Sequence, residues 1–277
     1  MYNALMATMK NDGSQISKYS PLEGRRQPGE EQCGMHINCC NANGPRGFAL
    51  IPKTACTIKD NHIYLNLYLP LQATISLNKK NKVHLNVESD YPIHGKVNVN
   101  IGVQKKEKFT LALRIPTQIE KMKAYINGEE QEITHKGGYL YIERIWENAD
   151  KVTLDFKIET KVVKLNNSQA IVRGPLLFAR DSRFNDGDID ECATIKCNNQ
   201  GVIQAKIKKN KTGTFPWITL TVPAVLGTDL ENVENKTPKL INFCDFSSSG
   251  NDWNPNGRYR VWIPQTFHAM SEPYKKY

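Results

Sequence analysis

The residues whose types and spacing could do chemistry lie together in HINCCNANGPRG, residues 36–47, where a histidine and two adjacent cysteines precede a Gly-Pro-Arg-Gly run. Cys39 and Cys40 are poor partners for each other, because a disulfide bridges Cα atoms about 4.4–6.8 Å apart and neighbouring residues would close a strained ring. Three readings of the pair remain open: two unrelated small buried hydrophobes, two thiolates on a soft metal such as zinc, or one reactive thiol tuned by its neighbour. Asn43 suits a helix cap and Pro45 a first helical turn, so the pair is expected just before a helix start, a place that favours anions. A free thiol has a pKa of about 8.5 and is mostly protonated at neutral pH, whereas zinc or a helix N-terminus favours the thiolate.

The elements that would position such a pair can be read from the rest of the chain. Its 277 residues, 39% hydrophobic and 23% charged, have an ordinary globular composition with room for one large or two ordinary domains. No stretch approaches the roughly 18 uninterrupted apolar residues of a membrane span, so no membrane partner is expected. The formal net charge of +9 raises the question of nucleic acid. However, the lysines fall in short clusters (Lys79, Lys80 and Lys82; Lys105, Lys106 and Lys108; Lys206, Lys208, Lys209 and Lys211) beside strand-like runs and without interleaved aromatics. They read as solvated turns and edge-strand guards, and nucleic acid is not expected as a partner. Seven cysteines, an odd number in a chain too large to need staples, do not indicate a disulfide framework.

At the start, Tyr2, Leu5, Met6 and Met9 fall at i, i+3, i+4 and i+7, and Asp12-Gly13 follows as a stop, which predicts a short amphipathic helix. Such a helix needs a surface to lie on, so the chain is expected to open within a larger helical domain. From His62 onward the period becomes two. Ile63, Leu65, Leu67 and Leu69 alternate with polar or aromatic residues, as do Val97, Val99, Ile101 and Val103; Phe109, Leu111, Leu113 and Ile115; and Val152, Leu154, Phe156 and Ile158. Asn127-Gly128 and Gly137-Gly138 are hairpin turn signals, since Asn and Gly accept the positive φ such turns require. The pattern predicts a mainly β chain of antiparallel sandwich modules behind a short helical segment. RGPLLFAR (173–180) ends one strand-rich block, the acidic SRFNDGDIDE (182–191) reads as a loop, and VIQAKIKK (202–209), WITLTV (217–222) and YRVWIP (259–264) form a second β-rich stretch. This gives a division into residues 1–57, a β-sandwich over 58–180, and 181–277 as a second β-rich module or a continuation of the sandwich.

YSPLEGRR (19–26), followed by Cys39-Cys40, Asn43 and Arg46, resembles the end of the catalytic helical barrel of glycoside hydrolase family 127, the β-L-arabinofuranosidase family. NLYLP (66–70), FTLALRIP (109–116), YINGEEQ (125–131) and RGPLLFA (173–179) resemble its β-sandwich region. One departure is that Asn41 stands where the family commonly has proline. The resemblance implies that residues 1–57 are a remnant of an (α/α)6 barrel. It further implies that Cys39 is the nucleophile and a zinc ligand, that Cys40 is a second zinc ligand, and that a carbohydrate is the substrate. The family's Glu-x-Cys ligands and its acid/base glutamate would precede Met1, leaving the zinc site incomplete and this chain alone without useful activity. The implied function is the C-terminal part of a retaining hydrolase acting on arabinose-containing plant glycans; a non-catalytic carbohydrate-binding or scaffold sandwich is the alternative.

Glu31, Cys33 and His36 carry legitimate zinc-ligand chemistry but sit in the loop before the pair, and are read as loop residues. Glu23 is read as structural. Arg46 is read as orienting the loop or pairing with a carboxylate. Tyr68, Trp146, Trp217 and Trp262 offer sugar-stacking faces, but core packing is the expected role for all four.

Overall fold

The computed structural model describes residues 8–9, 16–17, 22–25, 39–77, 81–132, 134–211, 215–227 and 237–265, with the backbone course alone for 8–9, 16–17 and 39–45. The chain forms two compact units: Pro45–Ile158, and Met1–Gly44 together with Glu159–Tyr277. This division falls at residues 44 and 158, whereas the sequence pattern placed its divisions at 57 and 180.

Three two-residue strands come first, β1 (Thr8–Met9), β2 (Ile16–Ser17) and β3 (Glu23–Gly24), then the helix α1 (Cys39–Thr54). β1 pairs antiparallel with β2. Thr8 and Met9, expected to close the first amphipathic helix, are therefore strand; residues 1–7 of that helix lie outside the described residues. A helix this short is marginal without a partner surface, and strand pairing supplies the backbone hydrogen bonds instead.

The Pro45–Ile158 unit is an antiparallel sandwich, as the alternation predicts. Its strands are β4 (Cys56–Lys59), β5 (His62–Leu65), β6 (Leu71–Ser76), β7 (Lys82–Ser89), β8 (Lys96–Val103), β9 (Glu107–Arg114), β10 (Met122–Ile126), β11 (Glu129–Gln131), β12 (His135–Lys136), β13 (Tyr139–Trp146) and β14 (Asp150–Phe156). One sheet has the order β11-β10-β14-β8-β7-β6 and the other β12-β13-β9-β5-β4. Among the described strands of this unit, the parallel pairing is β5 with β9. Val83, Leu85, Val97, Val99 and Leu154 from the first sheet share a core with Ile63, Leu65, Leu111, Leu113 and Trp146 from the second. Trp146 is fully buried, stacks on Phe109 and donates its indole N–H to the Phe109 carbonyl at 3.0 Å. β9 departs from the half-buried expectation, because Thr110 and Ala112 on its other face are buried too. Ala112 lies in register between Tyr64 and Tyr141, whose ring centroids are 6.4 Å apart.

Both predicted hairpin turns form. Asn127-Gly128 joins β10 to β11 and Gly137-Gly138 joins β12 to β13, with all four φ values between 52° and 92°. Gly95 serves a different need: a Cβ there would lie 1.8 Å from the Phe156 carbonyl oxygen, so only glycine lets the start of β8 reach the end of β14.

The second unit is one antiparallel sheet of β15 (Thr160–Leu165), β16 (Ser168–Arg173), β17 (Leu176–Asp181), β18 (Ala193–Ile195), β19 (Lys206–Lys209), β20 (Ile218–Leu226), β21 (Lys239–Asp245), β22 (Tyr259–Arg260) and β23 (Ile263–Pro264), joined by β3. The main path is β15-β16-β17-β21-β20-β18; β22 pairs with β17 and β3, and the lysine-rich β19 pairs with β20. RGPLLFAR (173–180) forms the hairpin between β16 and β17 inside this sheet. Buried carboxylates organise the loop after β21. Asp245 accepts the Ile218 amide and the hydroxyls of Ser247 and Ser248, at 2.6–2.9 Å. Asp181 takes Arg183 through two bonds, 2.8 and 2.7 Å, and the Gly250 amide at 2.8 Å.

Candidate functional site

Cys39 and Cys40 are the first two residues of α1. The pair was expected just ahead of a helix opened by Asn43 and Pro45; the helix instead starts at Cys39 and runs through both, so local preference for cap and proline positions is overridden. The first turn of a helix has amide N–H groups without intrahelical partners and carries the positive end of the dipole, and no acidic residue lies in this first turn to oppose a thiolate.

The far end of α1 is anchored within the sandwich unit by NLYLP. The Asn66 side-chain amide donates to the Thr54 carbonyl at 2.8 Å and to the Thr57 hydroxyl at 3.1 Å, while its oxygen accepts the Tyr139 hydroxyl at 2.7 Å. The Asn66 and Leu67 amides both donate to the Ala55 carbonyl. Two residues on, the buried Tyr68 donates its hydroxyl to the Arg114 carbonyl, and burial pushes its phenol far above the usual range. The last carbonyl of the helix is thus tied to the end of β9 and the start of β13. Sequence reading missed this clamp; the asparagine and tyrosine of NLYLP, two apart across a strand end, were its signal.

The other sequence candidates separate cleanly. Glu23 is structural as expected: its Oε2 accepts Arg260 Nε and Nη2 at 3.0 and 2.9 Å, beside the β3–β22 pairing. Arg46 is exposed on α1. Tyr68 and Trp146 are core residues, and Trp262 packs against Ala170, Phe246 and Tyr259. Trp217 differs, being 40% exposed just before β20. Glu31, Cys33 and His36 lie outside the described residues. Of the other described thiols, Cys56, Cys192, Cys197 and Cys244 are in no disulfide, Cys244 donates to the Ala179 carbonyl at 3.6 Å, and burial pushes Cys56 up to about 11, which makes it a poor nucleophile. Among the described residues no three or more His, Cys, Asp or Glu side chains are grouped to hold a metal, and no helix is long and apolar enough to cross a membrane.

Residues 62–158 match the family model of the β-L-arabinofuranosidase middle domain of glycoside hydrolase family 127. No curated protein matches the chain. A family-127 β-L-arabinofuranosidase from Geobacillus stearothermophilus T6 superposes with a TM-score of 0.71 at 21% identity, over 94% of this chain and 44% of its own. A family-127 β-arabinofuranosidase gives 0.70 at 20% identity, over 93% and 43%, and a further glycoside hydrolase gives 0.69 at 22%, over 94% and 46%. Fold and sequence thus agree on a likeness to the β-rich portion of glycoside hydrolases. Within that class the chain resembles family 127, and it spans less than half the length of these relatives.

Proposed function

We propose that the chain is the C-terminal part of a retaining glycoside hydrolase of the β-L-arabinofuranosidase type, acting on arabinose-containing plant glycans with the Cys39 thiolate as nucleophile. The observation that carries this reading is the coincidence of the family match over residues 62–158 with a helix that opens on Cys39-Cys40. In this reading α1 is the end of an (α/α)6 barrel. Phe48 and Leu50, 51% and 55% exposed on the 16-residue helix, support it, since such apolar surface ordinarily lies against other helices.

Two thiolates are a chemically suitable half of a four-membered zinc donor set. The reading assigns the other two ligands and the acid/base to sequence upstream of Met1. Zinc, when bound, would hold sulfur deprotonated before attack and ease its departure afterwards. Cys39 sulfur attacks the anomeric carbon while the bond to the leaving oxygen breaks, and that oxygen takes a proton from the acid/base. Water, deprotonated by the same group, then displaces the sulfur, so two inversions give retention. Cys40 acts as a ligand.

The test compares this chain with a longer version extended at its N-terminus, both supplied with zinc and an aryl β-L-arabinofuranoside. The longer protein should turn over and lose activity on Cys39→Ala. This chain alone should not, because general acid/base assistance is worth about 10²–10⁴-fold and positioning of the sugar up to about 7–11 kcal/mol. Comparable turnover by both would sink the reading of an incomplete site and return Glu31, Cys33 and His36 to candidacy.

A further inference from the structure

The outer face of the six-stranded sheet carries an open cleft of about 830 Å³, within the size range of ligand sites. Its floor is the outward side of β6, β7 and β8. Gln72 lies opposite Asn86 in register, and Glu88 opposite Asn98, with Lys96 at the strand start. Its wall is the connection from Ser89 to Gly95, which contributes Asp90 and His94.

That wall is fixed from below. Ile93 is buried, and Tyr91 packs its ring against Tyr68 and Phe156 at 5.9 and 5.7 Å. The Ile93 and His94 amides both donate to the Asp90 carbonyl, the Tyr91 amide donates to the Ser89 hydroxyl at 2.9 Å, and Gly95 accepts the Phe156 amide at 3.0 Å. The cleft is therefore formed before any ligand arrives, which removes part of the ordering cost of binding.

Its polar groups are oriented as well. Thr153 donates to Asn98 Oδ1 at 3.0 Å, so the Asn98 NH₂ is the group left for a ligand. Asn86 donates weakly to Glu88 Oε1 at 3.4 Å, leaving Asn86 Oδ1 and the second Glu88 oxygen as acceptors. Planar amides and carboxylates of alternating donor and acceptor character suit hydroxyl groups, which donate and accept at once. Phosphate would want a basic cluster, and the lining has two acids against Lys96 and His94. Apolar peptide side chains would want a mostly apolar lining, and here Pro70, Leu71 and Val87 are outnumbered by polar residues. A metal would want converging ligands, and among the described residues no such group exists.

We propose that this cleft binds a neutral oligosaccharide by its hydroxyl edges, separately from the Cys39-Cys40 chemistry. The proposal stands on the cleft alone, whatever becomes of the hydrolase reading. The test is affinity gel electrophoresis of the 277-residue chain in soluble arabinan, xylan, galactomannan and mixed-linkage β-glucan. At least one should retard the wild-type chain, and Cys39→Ala should be retarded equally. Asn86→Ala combined with Asn98→Ala should weaken that retardation at least tenfold. Gln72→Ala and Lys96→Ala, on exposed side chains, should each weaken it about threefold while the circular-dichroism melt is unchanged, which keeps the test valid if the double variant misfolds. Retardation by none of the four polysaccharides would overturn the proposal. So would retardation unaffected by the cleft variants, or retardation lost in Cys39→Ala, which would move the sugar to the thiol pair.

Discussion

The two compact units solve the problem of a stable interior differently. The sandwich unit buries rows of Val, Ile and Leu from facing sheets around Trp146, with few buried polar groups among its strands. The split unit buries Arg180, Asp181, Asp245, Ser248, Ser249 and Asn251 beside its apolar strands. Their roles explain the difference. Alternating strands satisfy their own backbone through sheet ladders, whereas the irregular run from Phe246 to Asn251 has amides that need partners, and Asp181 and Asp245 provide them. An apolar core tolerates loss of volume in proportion to the cavity left; a polar core fails when one partner leaves another unpaired.

The largest expected effects probe this contrast directly. Asp181→Ala would take the bidentate carboxylate from Arg183, leaving it Asn251 Oδ1 and the Ser248 carbonyl at 2.9 Å each and Asp252 at 3.7 Å, and would leave the buried Gly250 amide without its acceptor. Breaking a buried pair from one side costs about 3–5 kcal/mol. Trp146→Ala should cost a similar amount, about 3–5 kcal/mol, through a cavity. Amide hydrogen exchange on the intact chain separates them: Asp181→Ala should lower protection in β16, β17 and β21, Trp146→Ala in β9 and β13. Equal loss across both units from either variant would show that they unfold as one, and the contrast would have no energetic content.

Gly95→Ala comes next. The Phe156 carbonyl oxygen that its Cβ would strike is backbone, not the flexible end of a side chain, so β8 and β14 must move apart locally. Overpacking of this kind costs about 1–3 kcal/mol. A melting temperature equal to wild type would show that the β8 start is looser than its hydrogen bond to Phe156 implies. Since the same glycine ends the cleft wall, saccharide retardation should fall with it.

The sandwich was legible because its signals are local. A period of two across Val97, Val99, Ile101 and Val103, or an Asn-Gly at 127–128, specifies a strand or a turn without knowledge of the remaining chain. Strands of the split unit were legible too, at 206–209, 218–222 and 259–264, but how they assemble was not, because that organisation is long-range: Glu23 meets Arg260 across 237 positions, and nothing in either neighbourhood announces the other. Asp181 closes a strand and Asp245 stands in CDFSSSG; neither residue type signals burial, which comes only when the loop amides close around them. For the candidate site, the cysteines stood out by adjacency. The helix start did not, since Asn43 and Pro45 are better local openings than the one α1 uses.

A carboxylate in the sandwich unit is the exception that sharpens the comparison. Asp150 accepts the Glu147 amide at 2.9 Å and the Asn127 side chain at 2.8 Å, closing the turn into β14. Burial opposes its ionisation, but these bonds and Arg144 outweigh burial and hold the carboxyl below its ordinary value. A lowered folded-state pKa stabilises the protein above the unfolded value, about 3.9, and that contribution is lost as pH falls through the folded one. Acid unfolding below about pH 4 should therefore be shallower in Asp150→Asn, measured by circular dichroism against wild type. At neutral pH, Asp150→Ala should cost about 1–3 kcal/mol, since two donors lose their acceptor. An unchanged acid limb would mean that Asp150 is protonated alike in both states.

The smallest effect isolates backbone geometry from everything else. Gly128 has φ near +92° and nothing within 4 Å of where a Cβ would stand, so Gly128→Ala meets no clash and is penalised only for conformation, by about 1–2 kcal/mol. Gly138, at +80° and equally open, should respond alike. The turns differ in their support. Asn127 donates to Asp150 and accepts the Lys151 amide at 2.8 Å, so the first hairpin is held to β14 by side-chain bonds as well as by its strands. The hairpin at Gly137-Gly138 has no side chain in its turn and a two-residue strand, β12, on one side. Alanine at 138 should therefore let β12 fray, read as loss of protection at Lys136, while alanine at 128 should leave β10 and β11 paired. Fraying at 128 and not at 138 would show that neither the Asn127 bonds nor strand length decides which hairpin yields, and that the sandwich edge is held by something other than its turns.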